Sequence, residues 1–138
     1  MTSRPPALDP AVLAAISVGG GLGAVARFGI GQWWPVPVGR FPWSTLTVNV
    51  VGCFAIGVLM VVVTELVDAP KLVRPFLGIG VLGGFTTFST YSLEIRRLVN
   101  TGATGTAVSY LGLSVLAALA AVATAMIATR WVARRGTA

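Results

Sequence analysis

Histidine is absent from this sequence, and cysteine occurs once, as Cys53. The first absence removes the commonest general base and metal ligand. The second rules out an intrachain disulfide and leaves no pair for a metal or redox site. No nucleophile–base pair can be assembled from what remains, so the chain is not read as an enzyme. Charge is also scarce, at 10% of residues, where a soluble domain carries about 25%. The ten basic residues, set against four acidic ones, give a net charge of +6. They are scattered between apolar runs and form no continuous basic face, which argues against a nucleic acid partner. Such positions are where Arg and Lys flank membrane spans. There is no soluble domain, no internal repeat and no ATP-binding motif.

Apolar residues are plentiful instead. The chain is 55% hydrophobic with 17 glycines in 138 residues, and its mean hydropathy is +0.85. Glycine is more frequent in membrane helices than in soluble ones. A helix needs about 20 residues to cross the hydrocarbon core. Four runs qualify, at 11–31, 44–64, 73–98 and 103–131. The expected fold is all-α and integral to the membrane, a single four-helix domain over residues 1–138. Asp9-Pro10 reads as the start of the first helix. The first run continues far past signal-peptide length, so it is read as a span and not as a cleaved leader. The first connection, WWPVPVGRFPW, has the Trp and Pro of a membrane interface.

Four spans place both termini on one side. That side carries Arg4, Lys71, Arg74, Arg130, Arg134 and Arg135; the other carries Arg40, Arg96 and Arg97, with Arg27 near it. The bias is mild and modestly favours termini inside, but it also permits insertion in both orientations.

The third run contains GGFTTFSTYS at 83–92, in which six side chains carry a hydroxyl. Two glycines and several β-branched threonines weaken a helix there. The third helix is therefore expected to break near its middle. Such a break is tolerated only where the freed backbone is buried in protein or lines a cavity. Freed carbonyls suit a cation; hydroxyls and aromatic edges suit an anion. A Ser/Thr-rich helix packed tightly on its neighbours is an equal reading of the pattern. Asn49 in the second span reads as an interhelical hydrogen-bonder or a donor to a ligand. Arg27 reads as a snorkelling anchor or a fixed charge at a vestibule. Glu94 reads as an interfacial carboxylate paired with Arg96 or Arg97, or as a pore-mouth group. Gly19 and Gly23, four apart, form a close-packing pattern.

Three blocks then carry a resemblance: GGGLGAVARF at 19–28, STLTVNVVGCFAIG at 44–57 and GVLGGFTTFSTYSLE at 80–94. In order and spacing they resemble the Fluc/CrcB fluoride channel family, and the four-span layout carries the likeness over the whole chain. The resemblance implies a fluoride-selective passive channel of the bacterial plasma membrane (the cell inner membrane), exporting fluoride and conferring fluoride resistance. It implies an antiparallel, dual-topology dimer with two fluoride pores along the subunit interface. Asn49 would line the pore. Phe88 and Tyr91 would take the places of two pore phenylalanines. Ser89, Thr90 and Ser92 would lie on or near a hydroxyl track. Arg27 would sit near the vestibule and Glu94 near the pore end. The backbone carbonyls of Gly83 and Thr86 would bind a structural Na+ at the dimer interface. Tyr91 departs from the more typical phenylalanine, adding a hydroxyl that can bond fluoride or narrow its path. Conduction is expected to survive this change. A homodimer is favoured, with pairing to a paralogue as the variant.

Passive flow is consistent with the absence of a coupling carboxylate deep in any span. Fluoride is strongly hydrated, so a selective pore must replace its water with convergent donors yet release it. The rival reading is a small multidrug-type proton-coupled transporter, which depends on a buried glutamate in its first span. Here that span has no acid after Asp9. A non-conducting membrane subunit is the third reading.

Overall fold

The computed structural model describes residues 9–135. Arg4, one of the residues on the terminal side, lies outside them, as do most of the residues ahead of the first span. Four helical spans, each long and apolar enough to cross a membrane, run over Pro10–Trp33, Trp43–Leu66, Arg74–Asn100 and Thr104–Arg135. Each ends beyond the C-terminal limit expected from hydropathy alone, the helix running on through flanking residues such as Gln32, Glu65, Asn100 and Arg134. The first span is α1 and the second α2. The third comprises α3 (residues 74–85) and α4 (Phe88–Asn100), and the last is α5 (Thr104–Arg135).

Local chemistry sets the helix starts. Asp9 caps α1, its carboxylate accepting from the Ala11 amide at 2.9 Å, with Pro10 in the first turn. Proline suits that position because its missing N–H would have no helical partner. Most of α3, Arg74–Leu82, is wound as a wide π-helix. The end of α2, Val62–Leu66, is wound the same way, and the Val67 amide donates to the Val62 carbonyl five residues back. Nine residues of π-helix are unusual, because such turns occur mostly singly.

α1 packs along α3 through glycine. Gly19 and Gly23 are the buried residues of α1. A Cβ on Gly19 would come within 2.5 Å of the Phe76 carbonyl oxygen, and one on Gly23 would overlap the Val81 carbonyl. From the other side, a Cβ on Gly84 would overlap the Gly20 carbonyl. Backbone thus lies on backbone, the close approach that small residues permit in membranes. α2 packs along α5, where Gly57 sits against Ala125 and Val122.

The buried cluster lies toward the end opposite the termini, where Leu46, Tyr91, Leu98, Ala107 and Tyr110 meet. Phe41 meets the Tyr110 ring edge-on at 5.2 Å. At the terminal end two ion pairs tie the elements together. Lys71 reaches Asp9, and Arg130 grips Glu65 with both Nε and Nη2.

Candidate functional site

The expected site residues converge where α3 gives way to α4. Thr86 (φ −74°, ψ 155°) and Thr87 (φ −148°, ψ 123°) are both extended. In a continuous α-helix each carbonyl accepts from the amide four residues on. Here those amides go elsewhere. The Thr87 amide, which would serve Gly83, donates to Asn49 Oδ1 at 2.8 Å. The Thr90 amide, which would serve Thr86, donates to Thr87 Oγ1 at 3.1 Å. Thr87 is thereby the N-cap of α4, a role for which threonine is well suited. The carbonyls of Gly83 and Thr86 are thus left without their usual helical donors.

Asn49 spans the gap. Its Nδ2 also donates to the Thr87 carbonyl at 3.1 Å, so one side-chain amide holds both polar groups of one extended residue. This is the interhelical hydrogen bonding foreseen as one reading of Asn49. It uses one of the two N–H donors of the amide and leaves the other.

Arg27, half-buried on α1, donates from Nε to the Gly84 carbonyl at 3.2 Å. It also lines an open cavity of about 270 Å³ together with Gln32, Ser44, Thr45, Thr87 and Thr90. No acidic residue lines this cavity. The hydroxyls around it form a chain, with Thr87 Oγ1 3.1 Å from Thr90 Oγ1 and 3.3 Å from Ser89 Oγ. Ser92 turns back to the Phe88 carbonyl at 2.9 Å, and both Ser89 and Ser92 are exposed.

The two rings diverge. Phe88 is 80% exposed, whereas Tyr91 is 8% exposed. The Tyr91 ring lies between Phe88, at 5.7 Å, and Tyr110, at 5.2 Å. Its hydroxyl donates to the Leu111 carbonyl of α5 at 3.0 Å. The extra oxygen that distinguishes tyrosine from phenylalanine therefore has a backbone partner inside the chain.

Glu94 differs from the pairing favoured on sequence. It accepts from Thr45 Oγ1 at 2.8 Å and from the Tyr110 hydroxyl at 2.7 Å, and among the described residues it forms no ion pair. The carboxylate points into the bundle toward α2 and α5, while Arg96 and Arg97 are exposed. Thr45, Thr87 and Tyr110 are the site residues that sequence reasoning passed over. Thr87 carried a signal, since threonine just ahead of an apolar residue that opens a helix is an N-cap candidate. Thr45 and Tyr110 carried none, because their partner lies 49 and 16 residues away.

The sequence profile of the CrcB-like protein family, described as Camphor Resistance (CrcB), matches residues 14–126. The chain is similar to the fluoride-specific ion channel FluC 2 of Nocardia farcinica, 60% identical over 129 residues, covering 94% of this chain and 92% of that one. It is 54% identical to the fluoride-specific ion channel FluC 1 of Streptomyces coelicolor, over 90% of this chain and 78% of the other. To the fluoride-specific ion channel FluC of Saccharophagus degradans it is 40% identical, over 94% and 97%.

Proposed function

Because the chain belongs to the CrcB family, multi-pass membrane proteins that are ion channels and not enzymes, we propose that it is a fluoride-selective passive channel that exports cytoplasmic fluoride. The observation that carries this reading is the wall of donors at mid-span. Thr87 and Thr90 line the cavity with Arg27; Asn49 and Ser89 bond to Thr87 behind them, and no carboxylate lines the cavity. Neutral donors can replace an anion's water without holding it too tightly to leave. Fluoride that enters a cell as neutral HF would ionise there, and the negative interior would drive it out through such a path. The outcome is fluoride resistance.

The third span acts in this reading as a broken helix. One chain supplies only part of a pore, since Phe88, Ser89 and Ser92 stand exposed in a membrane-spanning stretch. Hydroxyls facing lipid are costly, so they call for a protein or aqueous neighbour. A second copy in antiparallel orientation provides it, forming a homodimer in which Asn49, Phe88, Tyr91, Ser89, Thr90, Ser92, Arg27 and Glu94 border the pores. Tyr91 contributes its ring edge, with its hydroxyl tied to Leu111. The Gly83 and Thr86 carbonyls have the chemistry of a Na+ site, being neutral oxygens deprived of helical donors by the diversions to Asn49 and Thr87. They would hold a structural sodium ion at the dimer interface, supplying positive charge that ties the two chains together.

The test is fluoride efflux from liposomes that contain only this purified chain, read with a fluoride electrode under a potassium/valinomycin shunt. Rapid fluoride release with no chloride release is expected. Folded protein that releases no fluoride would overturn the homomeric channel and direct attention to a paralogous partner.

A further inference from the structure

We infer that Arg27 is a positioning residue: its guanidinium replaces the helical amide that the Gly84 carbonyl has lost, and so clamps the start of the extended Thr86–Thr87 pair to α1. In a continuous helix the Gly84 carbonyl would accept from the Phe88 amide. Phe88 opens a new helix after two extended residues, which carry that amide away. Arg27 Nε, 57 residues away in sequence, donates to this carbonyl instead, at 3.2 Å. The neighbouring backbone makes the contact possible, because Gly84 itself lies against Gly20 so closely that no Cβ fits between them. Arg27 and Asn49 thus hold the extended pair from opposite sides, one at Gly84 and the other at Thr87.

The choice of arginine follows from geometry. Guanidinium offers five N–H donors in a rigid fork. Nε can hold the carbonyl while the terminal nitrogens remain available to the cavity that Ser44, Thr45 and Thr90 share. A lysine ammonium carries its three donors on one nitrogen and lacks the spread of the guanidinium fork. Charge alone is therefore insufficient at this position. The clamp also removes Gly84 from the set of carbonyls freed at the junction.

Arg27→Lys and Arg27→Gln separate the clamp from a simple vestibule charge. Amide hydrogen exchange, measured in lipid nanodiscs, would follow residues 86–90, with α5 as an internal control. Fluoride efflux would be measured at low and high ionic strength. Both variants are expected to exchange faster across 86–90 with α5 unchanged, and to lose flux about tenfold at either salt concentration, as for a lost hydrogen bond to a charged group. The clamp is overturned if Arg27→Lys matches the parent chain in exchange and flux while Arg27→Gln loses flux only at low salt, the signature of a screened charge. It is equally overturned if neither variant alters exchange, or if exchange rises throughout α5. Only the flux arm rests on the channel reading. Should the parent chain pass no fluoride, that reading fails and the exchange comparison still decides the clamp.

Discussion

The two halves of the third span are held by opposite means. α3 is glycine-rich and carries no charge after Arg74; it is held by backbone lying on the α1 backbone at Gly19, Gly23, Gly80 and Gly84. α4 is hydroxyl-rich and is held by side chains, through Asn49 to Thr87, Thr45 and Tyr110 to Glu94, and Tyr91 to Leu111. The first half depends on the absence of atoms and the second on the presence of donors. In a membrane neither can draw on a hydrophobic driving force between helices. Close packing fixes α3 as a platform, and directional bonds then place the hydroxyls and carbonyls at the junction of α3 and α4.

The contrast predicts a graded set of effects. The largest belongs to Asn49→Asp. An ionised aspartate accepts but does not donate, so it repels the Thr87 carbonyl that Asn49 Nδ2 now holds. Loss of that bond beside a half-buried acceptor costs about 2–3 kcal/mol, and fluoride efflux is expected to fall by roughly 30-fold or more. The proposed dimer, measured by size-exclusion chromatography, should persist. Normal efflux would remove Asn49 from the pore wall.

Gly23→Ala tests the other half. Its Cβ meets the Val81 carbonyl and the Phe85 amide, whereas Gly21 has open space around its would-be Cβ. Overpacking of this kind costs about 1–3 kcal/mol. Gly23→Ala should lower the thermal midpoint clearly and Gly21→Ala should not. Equal midpoints would mean that α1 is not seated on α3 through this seam.

Tyr110→Phe sharpens the account of α4. Glu94 would keep Thr45 and lose its second donor. The expected loss is about 1–2 kcal/mol of stability, with efflux lowered less than in Asn49→Asp.

The smallest effects belong to the terminal end. The Arg130–Glu65 pair is exposed, so Arg130→Gln should leave the thermal midpoint nearly unchanged. The hydrogen bond from Lys71 holds the Asp9 carboxyl below the usual carboxylate range. A depressed folded value means that its contribution is present above the unfolded pKa of about 3.9 and is lost as pH falls through the folded value. The difference in midpoint between the parent and Asp9→Asn should therefore stay constant from pH 7 to 5 and close only in stronger acid.

Much of this organisation was legible in advance. Four spans follow from hydropathy, because a segment of about 20 apolar residues has few alternatives to crossing the bilayer. Gly19 and Gly23 could be identified because four-residue spacing places two residues on one helix face. The Asp9-Pro10 start is local chemistry. Glu94 was misjudged for a physical reason. Arg96, two residues on, points to another face of the helix, and Arg97, three residues on, shares the face of Glu94 but stays exposed while the carboxylate turns inward. Proximity along the chain did not translate into an ion pair, and two hydroxyls from other helices took the carboxylate instead.

The sequence by itself determined the medium, the number of spans, the small-residue seam and the place where polar groups enter the membrane. Each of these depends on composition or on short-range periodicity. Only the tertiary structure decided which donor meets which acceptor. Asn49 finds Thr87 across 38 residues and Arg27 finds Gly84 across 57. Hydrogen bonds are directional and act over about 3 Å, so their partners exist only once the glycine seams have brought the helices into register.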